Sequence, residues 1–477
     1  MILRPPWVAF HVVAIVRFWL VFLLVASLSH LVPDKYRFLK PVFAAEARYV
    51  GPGSCSAVAC HGSLQARHET RVLQNEYSTW MLKDKHARAW NVLNNPISQR
   101  IAKILGPTVL GAADAAYAPK CLACHALYVP ESEQARPFDV TDGVSCESCH
   151  GPSSEWLGPH TARDWPHEKS VAMGMYDTKN LRLRTEKCLT CHLGTAEKYV
   201  DHEMMAAGHP DLVFELDSFQ AVEPVHWVEK TPGHPDQVDK DPFRGVRQWS
   251  VGQAVQLEKS MDRLIRRTRG TEGKKGPVWP EYGEFDCFGC HHSLAAGEES
   301  WRMRSVTDSP HGVRYHEERH AGDPRYNMSR AVVFQYVADE VDATTAKRLQ
   351  ITMNKLRALL GSDQRDQIEQ FAVEAGNLAD KLADELSTAA FDRGKTVHVM
   401  RAISGDGDYI SEEGERSAEQ AAMALDALYV AYAKDNRDAN IELKGAIDQL
   451  LQQLNNPSAF NGPKFAAAMK RVNAALR

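Results

Sequence analysis

Three textures of apolar and polar residues divide the chain. From Trp7 to Val32 it is apolar, broken by His11 and Arg17. The cleanest stretch, FWLVFLLVASLSHLV at 18–32, is short for a spanning helix and suits the core of an export signal. From Arg48 to Tyr326 glycine, proline, histidine and tryptophan recur, with little sustained helical period. After Tyr326 helical runs begin. Ile368, Phe371, Ala372, Ala375, Leu378, Ala379, Leu382 and Leu386 repeat at 3–4 spacing, which predicts one apolar helix face. Ala421, Leu425, Leu428, Tyr429 and Tyr432 predict a second. Ser362 ahead of the first run, and Ser417 with Gln420 ahead of the second, read as N-caps.

These patterns predict a mainly α fold with extensive irregular structure. Residues 1–47 form an export signal or an N-terminal membrane anchor, 48–326 an irregular domain, and 327–477 a helical bundle. Small residues suited to cleavage occur at Phe43-Ala44-Ala45-Glu46-Ala47, and the polar stretch PDKYRFLK before them is longer than a signal usually carries. Cleaved or retained, the segment puts the rest of the chain outside the cytoplasm.

Cysteine placement sharpens the picture of the irregular domain. All ten cysteines fall in pairs that run straight into a histidine: Cys55–Cys60–His61, Cys121–Cys124–His125, Cys146–Cys149–His150, Cys188–Cys191–His192 and Cys287–Cys290–His291. Four pairs are C-x-x-C-H, and the first, CSAVACH, holds two extra residues. Disulfides would account for an even cysteine count, and zinc for paired cysteines. Neither explains a histidine directly after every pair. C-x-x-C-H is the attachment signature of c-type haem, with two thioether bonds to the porphyrin and the histidine presented to the iron. Five covalently attached haems c are expected. The short gap from His125 to Cys146 predicts that the second and third are neighbours.

Formal net charge is −5, and two propionates per haem would make the loaded protein distinctly acidic. That balance argues against nucleic acid and favours a basic redox partner. Twelve further histidines lie between Arg48 and Tyr326. Met81, Met204 and Met205 are alternative sixth ligands, but the surplus of histidines favours two imidazoles per iron. Such ligation sets a low potential and closes the iron to substrate.

Several stretches resemble the multihaem cytochromes of the cytochrome c-554 and hydroxylamine oxidoreductase-related group. They are YVGPGSC, STWMLKDKHARAW, DGVSCESCHGPSSEWLGPH and CLTCHLGTAEKYVDHEMMAAGHP, covering roughly 48–215. FDCFGCHHSLAAGEESWR is similar to a further haem segment of longer bacterial relatives. The resemblance implies sixth ligands: His160 opposite His61, His86 opposite His192, and His209 opposite His150. It also implies a second haem, on His125, without a protein sixth ligand. His202 is a candidate for the second or the fifth haem, and His311 and His316, with His226 behind them, for the fifth. His292 adjoins His291 and is expected to bond a propionate or a carbonyl.

The leading expectation is a periplasmic electron carrier that works with donor or acceptor cytochromes or a quinol-linked complex, with inner-membrane association through the N-terminal segment. The rival is a haem oxidoreductase acting on nitric oxide, hydroxylamine or nitrite at a five-coordinate His125 haem. A bundle that serves as an interaction module is compatible with the first.

Overall fold

The computed structural model describes residues 47–68, 72–231, 234–271, 279–285, 326–360, 362–435, 440–456 and 460–476. The fold is mainly α, with one two-stranded antiparallel hairpin (β1 Lys230–Thr231, β2 His234–Val238) among the described residues. No helix among those residues is long and apolar enough to cross a membrane. The apolar run Trp7–Val32 lies outside them.

Short helices and turns make up the first half. In chain order they are α1 Glu76–Lys83, α2 Pro96–Leu110, α3 Pro119–His125, α4 Cys146–His150, α5 His167–Ala172, α6 Leu181–His192, α7 His202–Ala207 and α8 Leu216–Val222. Then come α9 Arg244–Arg269, α10 Phe334–Leu359, α11 Arg365–Thr388, α12 Arg393–Gly405, α13 Gly407–Glu412, α14 Glu415–Asp435, α15 Ile441–Gln452 and α16 Gly462–Ala475.

The apolar faces expected of the last part are present. On α11, Ile368, Ala372, Ala375, Ala379, Leu382 and Leu386 are buried, with Phe371 and Leu378 packed beside them. On α14, Ala421, Leu425, Leu428, Tyr429 and Tyr432 are buried. The expected N-caps are not. The α11 N-cap is Gln364, and Ser362 accepts the Gln364 amide at 3.2 Å instead. Ser417 lies inside α14, where its hydroxyl donates back to the Glu413 carbonyl, a bond that competes with capping.

The long helix α9 breaks the expectation of an irregular stretch before Tyr326. Val246, Trp249, Val255, Leu257, Met261 and Leu264 share one apolar core with α10, α11 and α14, and with Leu189 and Leu193 at the end of α6. Buried polar residues hide its period from a sequence reading. Ser250 and Ser260 donate to carbonyls one turn back, and Gln256 donates to the Phe214 carbonyl at 3.1 Å. These donors are buried with a partner, which removes most of their desolvation cost. Gly252 is required here, because a β-carbon would lie 2.6 Å from the Leu216 β-carbon. The α6 helix is further tied to this core by Arg182, which pairs with Glu258 of α9 at 3.2 Å and Asp384 of α11 at 3.0 Å.

A second apolar cluster joins α2, α3 and α7. It contains Leu93, Ile101, Leu105, Leu110, Leu122, Met204 and Ala207.

Candidate functional site

Three of the described cysteine motifs are helical and finish on their histidine. Cys121–His125 ends α3, Cys146–His150 is α4, and Cys188–His192 ends α6. On a helix, positions i, i+3 and i+4 share a face. The two sulfurs and the imidazole of each motif therefore leave one side of one helical turn, as attachment to one porphyrin demands.

The first motif cannot use that solution. Its cysteines are five apart, and a helix would put them on different faces. The chain instead makes a 3-10 turn, Pro52–Cys55, and a second tight turn in which the Cys60 and Gly62 amides both donate to the Ala57 carbonyl, at 2.8 and 3.0 Å. This loop admits only glycine after His61. A β-carbon on Gly62 would lie 1.9 Å from the Ser56 carbonyl oxygen.

The motifs adjoin one another in the order first, third, fourth, second. The Cys55 and Cys146 thiols act on each other's ionisation, as do those of Cys124 and Cys191. After burial, Cys188 is the strongest influence on the Cys149 thiol. The second motif thus adjoins the fourth, and the Leu127 amide, just past the second motif, donates to the Gly143 carbonyl ahead of the third at 2.7 Å. Glu147, inside the third motif, fastens it to the first. Its buried carboxylate accepts the Val50 amide at 3.0 Å, the Gly51 amide at 2.8 Å and the Ser153 amide and hydroxyl at 2.9 and 2.7 Å. None of the eight described cysteines is in a disulfide. The group of three ligand atoms close enough to share one ion, among the described residues, is Asp84, His86 and Glu223, which contains no cysteine.

Two pairs of imidazoles face each other. The rings of His61 and His160 are stacked with centroids 6.2 Å apart and planes 2° from parallel. Those of His86 and His192 are 6.3 Å apart and crossed at 84°. Imidazoles that each bind one metal at about 2 Å from opposite sides have ring centres about 6.3 Å apart. The residues present therefore fit an iron between each pair.

The remaining ring nitrogens are held by acceptors. Nδ1 of His61 contacts Glu76 at 2.9 Å, and that of His86 contacts Asp84 at 3.0 Å. His125 uses the Ala89 carbonyl at 3.0 Å, and His160 the Leu157 carbonyl at 2.5 Å. Such bonds orient a ligating ring and leave Nε2 for the metal. The hydrogen bond from Glu76 raises the pKa of His61, and Asp84 raises that of His86 in the same way. Burial acts oppositely on the proximal rings, pushing His150 and His192 down to about 4 and lowering His125. A neutral imidazole is the form that binds iron. Glu76 and Asp84 were not legible as partners in the sequence. Asp84, two residues before His86, offers a local spacing that points to it; Glu76 offers none.

The helix α7, which precedes His209, packs on the α2–α3 cluster beside the second motif. His202, at the start of α7, sets its ring against Tyr282 with centroids 5.6 Å apart. Its amide donates to Glu281 at 2.9 Å, just ahead of the fifth motif. Met81 is 41% exposed, whereas Met204 is packed in the apolar cluster. Cys287, Cys290, His291, His292, His311, His316 and His320 lie outside the described residues.

Residues 55–151, which carry the first three motifs, match the family of cytochrome c554 and c-prime. No curated protein and no solved structure matches the chain. The match over residues 55–151 and the paired imidazoles both support a c-type cytochrome with covalently bound haem c.

Proposed function

We propose that this chain is an exported, periplasmic electron carrier holding five haems c, most of them between two imidazoles. Its partners are donor or acceptor cytochromes, or a quinol-linked complex, reached free in the periplasm or at the inner membrane through the N-terminal segment. Bound haem supplies a one-electron iron couple. The chain's own residues fix its surroundings. Cysteines hold each porphyrin edge, and His61, His125, His150 and His192 meet the iron from one side. His160 and His86 meet it from the other side at the first and fourth motifs. Glu76 and Asp84 hold two of these rings and add anionic character, which favours the oxidised iron and a low potential. The bundle after Tyr326 serves as a docking module, and net negative charge suits a basic partner surface.

The observation that carries this reading is the spacing of the two imidazole pairs, 6.2 and 6.3 Å, which leaves no coordination position for a substrate between them. The test is the intact mass and pyridine haemochrome content of the exported protein, with a potentiometric titration. Five haems per chain that reduce at low potential are expected. Rapid turnover of hydroxylamine, nitrite or nitric oxide, with no electron exchange with donor cytochromes, would overturn the proposal.

A further inference from the structure

We infer that Phe214 and Phe219 position the His192 imidazole of the fourth motif, and that Gln256 of α9 and Gln420 of α14 hold Phe214 in place. The long helices thereby set the plane of one iron ligand. The inference rests on the reading that the fourth motif binds haem between His192 and His86.

His192 is held differently from the other three paired rings. Nδ1 of His61, His86 and His160 meets a carboxylate or a carbonyl. Among the described residues no such acceptor meets the His192 ring, and two phenyl rings flank it instead. Phe214 is tilted at 33° with centroids 5.5 Å apart, and Phe219 stands edge-on at 82° and 5.0 Å. The two phenyls also pack on each other, 4.9 Å apart and at 57°. Separations of about 4.5–7 Å are those of aromatic rings in contact. Two rings set at different angles against one imidazole resist its rotation. With Nε2 on an iron, rotation about the iron–nitrogen axis is the motion that changes the ligand plane.

Phe214 is itself clamped. Its side chain is 1% exposed, and its carbonyl accepts Gln256 Nε2 at 3.1 Å and Gln420 Nε2 at 3.2 Å. Gln420 in turn accepts Gln253 Nε2 at 3.4 Å. All three glutamines are buried, and the side-chain oxygens of Gln253 and Gln256 have no partner. A buried amide left half-satisfied is destabilising. Two such donors on one carbonyl, braced by a third amide, are accounted for by a backbone that has to stay in place. Just past Phe214, Glu215 caps α8 by accepting the Asp217 and Ser218 amides at 2.8 and 2.7 Å, and Leu216 packs against Gly252 of α9. The helix that carries Phe219 is thus fixed to α9 as well. Gln420, expected from the sequence at the start of a helix, lies inside α14 and reaches a carbonyl 206 positions away.

The experiment uses the full chain exported with its haems attached. Crossed imidazoles give an axial low-spin signal, and turning one toward the plane of the other makes that signal rhombic. Phe214→Leu, Phe219→Leu and the pair Gln256→Met with Gln420→Met are compared with the unaltered protein by electron paramagnetic resonance at measured haem content. Each is expected to shift the axial signal of the His86–His192 pair toward rhombic and to leave the His61–His160 signal unmoved. Phe219→Tyr, which keeps the ring, should keep the axial signal. An axial signal unmoved by the leucine variants at full haem content, even with a lowered unfolding midpoint, would mean that the phenyls only fill space, and overturns the inference. A signal unmoved by the glutamine pair alone overturns the part given to α9 and α14. Where Phe214→Leu does not fold, Phe219→Leu decides by the same signal. An unaltered protein without an axial signal that His86→Ala removes would sink the haem reading of the fourth motif, and this inference with it. A normal parent signal that no variant shifts refutes the inference alone.

Discussion

The rings of His61 and His160 lie parallel within 2°, whereas His86 and His192 are crossed at 84° across nearly the same gap. The contrast has an electronic consequence. Each imidazole interacts with one of the two π-type d orbitals of an iron, chosen by its plane. Parallel rings raise the same orbital and split the pair; crossed rings raise both and leave them nearly equal. The oxidised protein is therefore expected to show a rhombic low-spin signal from the first motif and a strongly axial one from the fourth. His160→Ala should remove the rhombic signal alone and His86→Ala the axial one alone. Both signals surviving both substitutions would refute the pairing.

Gly62 makes the expanded first motif possible, because any β-carbon there meets the Ser56 carbonyl at 1.9 Å. Gly62→Ala should open the turn in which the Cys60 and Gly62 amides share the Ala57 carbonyl. The expected outcome, read by intact mass, is loss of one haem with the other attachments retained. A full complement of haem in the alanine variant would show that the loop is not needed for attachment.

Much of this was legible in the chain before any fold was known. The faces of α11 and α14 repeat in a period that only a helix can bury on one side, and the cysteine–histidine spacing carries its chemistry within a single turn. What was hidden depends on distant packing. The period of α9 is masked by Gln253, Gln256, Arg263 and Arg267, polar side chains that are buried, several of them bonded to groups far away in sequence. The neighbours of His209 depend on where α7 docks, and that is set by Leu122 and Lys120, some eighty residues upstream.

Glu147 is expected to be a stability determinant although it touches no iron-facing ring. Its buried carboxylate meets the Val50, Gly51 and Ser153 amides. Glu147→Ala leaves each buried donor unmet, at about 1–3 kcal/mol apiece. Chemical unfolding followed by circular dichroism should show a lowered midpoint, and the segment ahead of Cys55 should gain proteolytic sensitivity. Glu147→Gln, which keeps some acceptor capacity, should fall between the two. An alanine variant as stable as the parent would mean that water replaces the carboxylate.

Glu284 gives the chain an acid-sensitive joint. Burial opposes its ionisation, yet Arg263 and Arg267 outweigh that and hold it down to about 2. Arg263 and Arg267 donate on to the Leu193 and Val200 carbonyls, at 3.2 Å each, so the group braces the chain just past the fourth motif. A carboxylate whose folded pKa lies below its unfolded value, about 4.3, stabilises fully above that pH. The contribution fades as pH falls toward 2, where the folded form also takes up its proton. Urea midpoints of the parent should therefore drop across that window. Glu284→Gln strands the buried guanidinium groups and should cost about 3–5 kcal/mol near neutral pH. Its stability should then change less than the parent's between pH 4.3 and 2. Equal pH dependence in the two proteins would show that other groups, such as the imidazole ligands, govern acid unfolding.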